Sequence, residues 1–363
     1  MEKGMIEEKP LALYGAGMVA VSVYYAVKEL YPDRGIAAFI VSEREGNPGE
    51  IDGIPVLSLD EFHGSQTCQK AKILVATPEN HHNAIAGELK KRGLGDFICI
   101  DSKREAALME KYYRAIKEFQ VLRTYPAGIM RKGGRASLDV YMTRFHKDMP
   151  LKNPYSPPGW LHPIQAGAAL TEECIADTRD DMGENISEKN RNYSELSAMY
   201  WVGKNGGGAE YLGLFHYRRV LDITEEDLYR MGEHDIDVVL PYPTIHFPSI
   251  DEHHRRYVKD EDWEAMLMAL RELAPEYGKS FNRIFSQPYF YNYNMLIARA
   301  GVFKDYCDWL FPILKRTEEL SVPKGWERAD RYIGYLGENL TTLYFMYHRN
   351  DFKIAHTGRL MLI

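Results

Sequence analysis

A histidine and two arginines follow directly after an apolar stretch in the middle of the chain. Residues 211–215 are apolar, and His216, Tyr217, Arg218 and Arg219 come next. Guanidinium groups match phosphate oxygens in a bidentate geometry, so two adjacent arginines can neutralise a diphosphate. The imidazole beside them is a candidate for proton transfer. This cluster predicts a site for a phosphorylated ligand that Arg218 and Arg219 hold without a metal ion.

A second polar cluster lies at residues 180–190, ahead of a predicted helix. Asn185, Ser187 and Asn190 can each hydrogen-bond to a nucleobase or a ribose. The alternative is that Ser187 and Asn190 cap the helix that follows, and both roles can hold together. We expect this cluster and residues 216–219 to form two walls of one site.

Three carboxylates are candidates for acid–base chemistry or ligand binding. Glu338, in the last long predicted helix, is the first candidate for a general base, and Asp330 is the second. A base that removes a hydroxyl proton is worth roughly two to four orders of magnitude in rate. The alternative is a helix-initiating carboxylate paired with Arg331. Glu195, on an otherwise apolar predicted helix at 194–203, is either a ligand for a donor hydroxyl or the buried partner of an arginine, and we favour the structural role.

The elements that must position these residues are strands of an α/β fold. A strand at 138–143 ends in a polar segment that contains Thr143, His146 and Lys147. The carboxyl ends of strands in open α/β sheets face the binding crevice. We therefore expect Thr143, His146 and Lys147 to contact the same ligand as residues 216–219.

Further along the chain, polar residues stand beside aromatic ones that could stack on a sugar ring. Asn292 and Asn294 precede a predicted strand at 296–298 and are candidates for holding hydroxyl groups of a second substrate. His254 lies in a long connection, 244–262, of the kind that often closes over substrates. The alternative for His254 is a solvated loop histidine.

The sequence does not predict a metal centre. Asp235 and Asp237 precede the predicted strand at 238–240, which puts them at the sheet edge opposite the crevice. The four cysteines, Cys68, Cys99, Cys174 and Cys307, are scattered and form no C-x-x-C pair. We predict that no cofactor is required, and a divalent metal is disfavoured.

The N-terminal residues have the pattern of a nucleotide-binding βαβ unit. A short apolar strand at 10–14 runs into Gly15-Ala-Gly17 and a predicted helix at 19–30. Glycines in this position let backbone N–H groups approach a phosphate at the helix N-terminus. Glu43, after the second strand, could accept a ribose hydroxyl. The pattern predicts a Rossmann-like domain that binds a nucleotide, or one kept as a scaffold with an empty site.

Length and composition support two globular domains. The chain has 363 residues, of which 45% are hydrophobic and 27% charged, with a net charge of −7 that argues against a nucleic-acid partner. No apolar run reaches the roughly 20 residues that span a bilayer, and the N-terminus is charged, so we expect a cytoplasmic protein. The expected domains are residues 1–104, a helical connector with a basic loop at 105–136, and residues 137–363.

Residues 138 to about 356 resemble a bacterial glycosyltransferase family associated with capsular and exopolysaccharide loci and long catalogued as a domain of unknown function. Two departures from the family pattern are Glu184, where Asp is favoured, and Ser194, where Cys is common. Residues 1–104 resemble the domain that precedes the catalytic part of bacterial sugar O-acyltransferases, through residues 14–17, 51–57 and 75–78. The glycosyltransferase motifs are His146-Lys147, Pro163-Ile-Gln-Ala-Gly-Ala168, Gly183-Glu-Asn-Ile-Ser-Glu-Lys-Asn190, Tyr193-Ser-Glu-Leu-Ser-Ala-Met-Tyr-Trp201, Gly213-Leu-Phe-His-Tyr-Arg-Arg219 and Asn292-Tyr-Asn-Met295.

These resemblances imply an α/β fold, with a Rossmann-like domain followed by an A-type glycosyltransferase-like domain. They imply transfer of galactofuranose or another hexose from a UDP-sugar to a lipid-linked or polysaccharide acceptor in capsule, exopolysaccharide or O-antigen synthesis. Peripheral association with the inner face of the cell membrane and formation of an oligomer are compatible with this function. Two alternatives stay open: a non-catalytic nucleotide-sugar-binding regulatory or assembly protein, and an NAD(P)-dependent oxidoreductase. The oxidoreductase is the less favoured of the two alternatives.

Overall fold

A computed structural model describes residues 9–65, 70–127 and 134–363, apart from the side chain of His253. The predicted basic loop lies partly outside these residues, as does Cys68. In chain order the elements are β1 (Leu11–Tyr14), α1 (Met18–Leu30), β2 (Ile36–Val41), β3 (Glu50–Ile51), β4 (Ile54–Ser58), α2 (Leu59–His63), β5 (Lys72–Val75), α3 (His82–Lys91), β6 (Phe97–Cys99), α4 (Ser102–Ile116), β7 (Leu138–Arg144), β8 (Leu161–Gln165), β9 (Thr178–Arg179), α5 (Asn190–Tyr193), α6 (Leu196–Asn205), β10 (Tyr211–His216), β11 (Arg219–Leu221), α7 (Glu225–Glu233), β12 (Val238–Pro241), β13 (Thr244–Ile245), α8 (Ile250–His254), α9 (Asp260–Leu273), α10 (Gly278–Phe285), β14 (Tyr289–Phe290), β15 (Leu296–Arg299), α11 (Ala300–Leu320), α12 (Tyr332–Tyr347), β16 (Ile354–Thr357) and β17 (Arg359–Met361).

The chain divides into two compact units. Unit 1 comprises Met1–Phe119, Tyr242–Pro248 and Gly358–Met361, and unit 2 comprises Gln120–Pro241, Ser249–Thr357 and Leu362–Ile363. This division differs from the predicted boundaries of 1–104, 105–136 and 137–363. Helix α4, which we assigned mostly to a connector, packs against α1 within unit 1.

Unit 1 is built on a sheet whose strand order is β3-β4-β2-β1-β5-β6. All neighbouring strands are parallel except the β3–β4 pair. Helices cover both faces: Phe39 on β2 packs edge-on against Tyr24 of α1, while Phe62 of α2 and Leu89 of α3 belong to the core of the opposite face. A strand that is covered on both faces typically has a continuous apolar sequence. Strand β1 has this pattern, and all four of its residues are buried.

The connection from β1 to α1 is a tight glycine turn, and the predicted strand, turn and helix are confirmed. Gly15 has a φ of +128°, and a Cβ atom there would lie 2.6 Å from the carbonyl oxygen of Ala76 on the neighbouring segment. The Gly15 N–H donates to the carbonyl of Ile40 at 2.8 Å. The turn lies where the strand order reverses around β1, which is the position of ligand crevices in open α/β sheets.

Unit 2 contains a mixed sheet with the order β16-β12-β15-β10-β7-β8-β9. Strand β15 runs antiparallel to both of its neighbours, β10 and β12, and the other pairs along this order are parallel. Helix α11 packs against α6, α9 and α12. The predicted α/β fold class is therefore confirmed. None of the helices in the described parts of the chain is both long enough and apolar enough to cross a membrane.

Candidate functional site

A cleft of about 490 Å³ opens in unit 2 where β7 and β10 end. Thr143 and His216 are register partners at the last shared position of these parallel strands, and both line the cleft. The charged lining residues are the four arginines Arg144, Arg191, Arg219 and Arg331 and the two carboxylates Asp148 and Glu195. The lining therefore carries an excess of positive charge, which favours an anionic ligand.

The segment after β7 forms a tight turn at the edge of this cleft. The Phe145 N–H donates to Asp148 Oδ2 at 2.8 Å, and burial raises the pKa of the Asp148 carboxyl. His146 and Lys147 lie inside the turn but are not among the lining residues. His146 Nδ1 is buried without a hydrogen-bond partner in the described residues, and Lys147 is exposed.

His216 is held as a neutral imidazole. Its Nε2 lies 2.7 Å from the carbonyl oxygen of Tyr293. A carbonyl can only accept, so Nε2 carries the proton and Nδ1 is left as an acceptor. Burial lowers the pKa of His216, because removal from water disfavours the charged imidazolium more than the neutral ring.

None of the four arginines that line the cleft forms an ion pair within the described residues, and two of them make contacts that fix their position. The guanidinium carbon of Arg219 lies 4.4 Å from the centre of the Tyr293 ring, and Arg331 Nε donates to Ser194 Oγ at 2.8 Å. Within the part of the chain that the structure describes, neither Arg219 nor Arg331 forms an ion pair. These two guanidinium groups are therefore available to an anion.

Arg218 lies outside the lining of the cleft. Its Nη2 donates to the carbonyl of Met149 at 3.1 Å, its Nε donates to the Tyr217 hydroxyl, and its guanidinium covers the Tyr217 ring. The predicted pair of Arg218 and Arg219 is thus not brought together. Adjacent residues at a strand end point in different directions. The guanidinium groups that accompany Arg219 in the lining come from Arg144, Arg191 and Arg331.

Glu195 is the carboxylate at the junction of α5 and α6. Its Oε1 accepts from Asn294 Nδ2 at 2.7 Å. Asn294 is fully buried and saturated, because Nδ2 also donates to the Gly334 carbonyl and Oδ1 accepts from the Thr341 hydroxyl. The placement of Asn294 does not support the predicted contact with a second substrate; this residue positions Glu195. Asn292 is 5% exposed and is not among the lining residues.

The backbone at Tyr293 and Asn294 adopts an unusual conformation. Both residues have positive φ angles, 73° and 46°. Non-glycine residues in sparsely populated backbone regions cost about 1–3 kcal/mol each and cluster at functional sites. The carbonyl of Tyr293 accepts from His216, its backbone hydrogen-bonds to Glu338, and its ring packs beneath Arg219.

Neither of the two predicted base candidates lines the cleft, although Glu338 interacts electrostatically with the lining residues Glu195, Arg219 and Arg331. Burial and the nearby charge of Glu195 raise the pKa of Glu338 to about 8, against the opposing effects of Arg219 and Arg331. The raised pKa favours the protonated form of Glu338, so near neutral pH this carboxyl is less available as a proton acceptor than one with an ordinary pKa. Asp330 is exposed and accepts from Arg328 at 2.6 Å, so this carboxylate belongs to a surface ion pair.

The polar cluster at 180–190 is organised by Asp180, which is fully buried. Asp180 accepts from the N–H groups of Gly167 and Ala168 at 2.9 and 3.0 Å, and from the hydroxyls of Ser187 and Ser197 at 2.5 and 2.7 Å. Ser187 is fully buried by this network and is not free to bind a ligand.

Asn185 and Asn190 have different environments. The Asn185 amide donates to the carbonyls of Asp181 and Gly183 and closes a local turn. The Asn190 amide donates to the Ser194 carbonyl at 2.7 Å and to Ser197, yet Asn190 also lines the cleft. Of the three predicted ligands in this cluster, only Asn190 reaches the cleft.

His254 is the last residue of α8 and is enclosed, so it is not the solvated loop histidine of the alternative interpretation. Its ring stacks on Trp263 with centroids 3.7 Å apart, and the residue is only 4% exposed. Burial lowers the pKa of this imidazole. The structure does not support the predicted contact with a second substrate.

The acidic pair Asp235 and Asp237 lies at the opposite edge of the sheet, as the sequence predicted. Both carboxylates pair with Arg299, at 3.1 and 3.3 Å. Among the described residues, no group of three or more His, Cys, Asp or Glu side chains could hold a metal ion.

In unit 1, the predicted nucleotide residues lie at the carboxyl ends of β1 and β2. Gly17 precedes the first turn of α1, and the space where its Cβ would stand is open. Glu43 is exposed, and its backbone carbonyl accepts from Asn47.

Sequence reasoning missed several lining residues, namely Arg144, Arg191, Ser194 and Arg331. Arg331 was weighed only as the partner of a neighbouring carboxylate. Its φ of +65° at the start of α12 is set by tertiary structure and leaves no local signal in the sequence.

Comparison with known proteins identifies related chains. A solved structure of WbbM, a bifunctional glycosyltransferase in its apo form, matches with a TM-score of 0.54 and 28% sequence identity, over 62% of this chain and 45% of the WbbM chain. This chain thus spans less than half the length of WbbM. No curated protein sequence gives a match. The model of the family described as Domain of unknown function (DUF4422) matches residues 140–350. The match covers more than half of the sequence, so this chain belongs to the DUF4422 family.

Proposed function

We propose that this protein is a glycosyltransferase that moves a hexose, with galactofuranose as a candidate, from a UDP-sugar to an acceptor hydroxyl. The acceptor that suits the family resemblance is a lipid-linked saccharide or a polysaccharide of the cell surface, made at the inner face of the cell membrane. The similarity to a bifunctional glycosyltransferase at 28% identity supports the transferase class. The positively charged cleft at the strand ends supports an anionic donor.

The observation that carries this proposal is the pair of unpaired guanidinium groups at the cleft. Arg219 and Arg331 line it together with His216 and Glu195. Glycosyl transfer releases a nucleoside diphosphate. Negative charge develops on its leaving oxygen as the bond between the sugar and this oxygen breaks. Preorganised cations aimed at the leaving oxygens stabilise that charge more in the transition state than in the ground state.

The donor site then needs no metal ion. Many A-type transferases hold the diphosphate through a cation bound by carboxylates at a strand end. In this chain β10 ends at His216, and an arginine begins β11. Two guanidinium groups supply the charge that a divalent cation would otherwise bring.

Titration calorimetry with UDP tests this assignment. We expect binding that is unchanged by EDTA and weakened about tenfold or more in Arg219→Ala, which corresponds to about 1.4 kcal/mol. Arg218→Ala is the matched control, because its guanidinium is engaged by Met149 and Tyr217, and its affinity should stay within about threefold of wild type. Loss of binding with EDTA, or equal effects of the two substitutions, would refute the arginine site.

A panel of UDP-hexoses tests turnover itself, with UDP release as the signal. Release from one donor above the others would identify the sugar. Tight UDP binding without release from any donor would favour a non-catalytic binding protein.

For unit 1 we propose a nucleotide site at the glycine turn between β1 and α1. The N-terminus of a 13-residue helix and the open space at Gly17 support it. Protection of unit 1 from proteolysis by a nucleotide, lost in Gly17→Asp, would test this site separately from the cleft.

A further inference from the structure

We propose that Glu195 is the catalytic base that removes the proton from the acceptor hydroxyl, with Asn294 as its positioning residue. This inference rests on the proposed glycosyl transfer. The sequence alone did not indicate this role for either residue.

The geometry of Glu195 is that of a carboxylate anchored at one oxygen. Oε1 accepts from Asn294 Nδ2 at 2.7 Å, while Oε2 forms no hydrogen bond or ion pair within the described residues. The residue is half-buried and lines the cleft. A base needs one oxygen fixed for orientation and the other open to the substrate.

The contacts of Asn294 fix the direction of the amide group that donates to Glu195. Its Oδ1 accepts from Thr341 at 3.1 Å, and its second amide hydrogen is directed to the Gly334 carbonyl at 3.2 Å. The left-handed backbone of Asn294 has a cost that must be offset by its contacts. A saturated, fully buried amide therefore fixes the carboxylate rotamer.

The other carboxylates around the cleft are less suited to this role. Asp148 uses Oδ2 to close the turn at Phe145. Glu338 is bound to the Tyr293 backbone and lies outside the lining, and Asp330 pairs with Arg328 on the surface.

His216 is the remaining competitor, because its Nδ1 is an acceptor in the same cleft. Burial opposes the imidazolium that proton uptake would create; Arg219 and Arg331 oppose it too, while the charge of Glu195 favours it. A carboxylate, in contrast, stabilises the positive charge that develops on the sugar ring while it accepts the proton. The charge of the transition state therefore favours Glu195.

The step is a single displacement. The acceptor oxygen forms a bond to the anomeric carbon as its proton passes to Glu195 Oε2. The bond from the anomeric carbon to the diphosphate oxygen breaks, and its electron pair leaves with UDP toward Arg219 and Arg331. The anomeric configuration is inverted, and Glu195 later returns the proton to water.

The charged and titratable groups that line the cleft with Glu195 come from several elements. They are His216 at the end of β10, Arg219 of β11, Arg331 just before α12, Arg191 of α5, Arg144 at the end of β7 and Asp148 after it. Glu338 of α12 lies outside the lining but interacts electrostatically with Glu195. Because His216, Asp148 and Glu338 can also titrate, a pH profile is informative only when variants are compared.

The experiment uses the full chain with the UDP-hexose that gives the fastest UDP release. Glu195→Gln should bind UDP within about threefold of wild type and release it about a hundredfold more slowly or worse. Azide attacks the anomeric carbon without losing a proton and needs no base. Sodium azide should therefore accelerate UDP release by Glu195→Ala about tenfold or more and yield a glycosyl azide of inverted configuration.

Glu188→Gln is the matched control, since Glu188 is an exposed carboxylate in the same polar segment. It should keep wild-type turnover. The acid limb of the wild-type kcat/KM profile should be lost in the residual activity of Glu195→Gln and kept in His216→Asn.

Three results would overturn the role of Glu195: wild-type turnover in Glu195→Gln, a retained configuration with the sugar bonded covalently to Glu195, or an acid limb that disappears only in His216→Asn. These outcomes leave glycosyl transfer itself intact. Failure of the wild-type protein to release UDP from any donor would instead refute the proposed function, and the role of Glu195 with it.

Discussion

Replacing Asp180 by asparagine should destabilise unit 2 strongly, although the side chain hardly changes in size. Each carboxylate oxygen of Asp180 accepts one backbone N–H and one hydroxyl. The amide nitrogen of asparagine cannot accept, so whichever end it occupies faces two donors. The hydroxyl there can rotate to accept, but the backbone N–H of Gly167 or Ala168 is left without a partner.

The magnitude follows from this loss. A buried donor left unsatisfied costs about 1–3 kcal/mol. The remaining bonds also lose the carboxylate charge, and bonds to charged groups are worth about 1 kcal/mol more than neutral ones. We therefore expect Asp180→Asn to lower the free energy of unfolding of unit 2 by about 3 kcal/mol.

Tryptophan fluorescence isolates the response of unit 2 during urea unfolding. All of the chain's 5 tryptophans belong to this unit. Their positions are Trp160, Trp201, Trp263, Trp309 and Trp326. A fall in the midpoint with an unchanged slope would report a loss of stability rather than a change in the denatured state.

Asp181→Asn is the control, because it changes the same residue type at the next position. Asp181 pairs with Arg179 at 2.7 Å, and both side chains are partly exposed. Such pairs contribute about 0–1 kcal/mol. Equal unfolding midpoints for the two variants would refute the account of Asp180 as the organising acceptor of this segment.

Two further predictions concern a backbone turn and a buried carboxyl. Gly15→Ala should destabilise unit 1 by about 1–3 kcal/mol in thermal unfolding followed by circular dichroism, because of its positive φ and the close Ala76 carbonyl. Gly17→Ala, with open space, should change little, and equal effects would contradict this reason. The pKa of Glu338 rises from 4.5 to about 8 on folding, so its contribution to the stability of unit 2 is lost as pH rises through that interval. Glu338→Gln should remove that slope from urea midpoints measured between pH 4.5 and 8, and a slope equal to wild type would show that another group causes it.

Local sequence patterns were sufficient where the backbone itself carries the signal. The apolar run before His216 and the glycine turn at Gly15 each predict a strand end, and the structure has both. The position of Asp235 ahead of β12 correctly placed it at the far edge of the sheet. In these cases the direction of the chain and the alternation of side chains along a strand are sufficient to predict the position of the residue, and tertiary contacts need not be known.

The remaining features of the cleft depend on tertiary contacts, which the local sequence does not show. Nothing in the sequence of β15 shows that it runs antiparallel between β10 and β12, which is how Asn294 comes to face Glu195. The predicted helix at 194–203 placed Glu195 inside an apolar helix, whereas α6 begins at Leu196. Ser194, with a φ of 52°, separates α5 from α6, and Glu195 lies at this junction, where it lines the cleft.

Tyr293 contacts three groups of the cleft through three different parts of one residue: the carbonyl for His216, the N–H for Glu338 and the ring for Arg219. The energies of these groups are therefore not independent. Double-mutant cycles among them should give interaction energies of about 0.5–3 kcal/mol, although no two of the three need to touch. A substitution at any one of these three positions would then have an effect that depends on which residues occupy the other two positions. Substitutions meant to change the properties of the cleft should therefore treat these four residues as one unit.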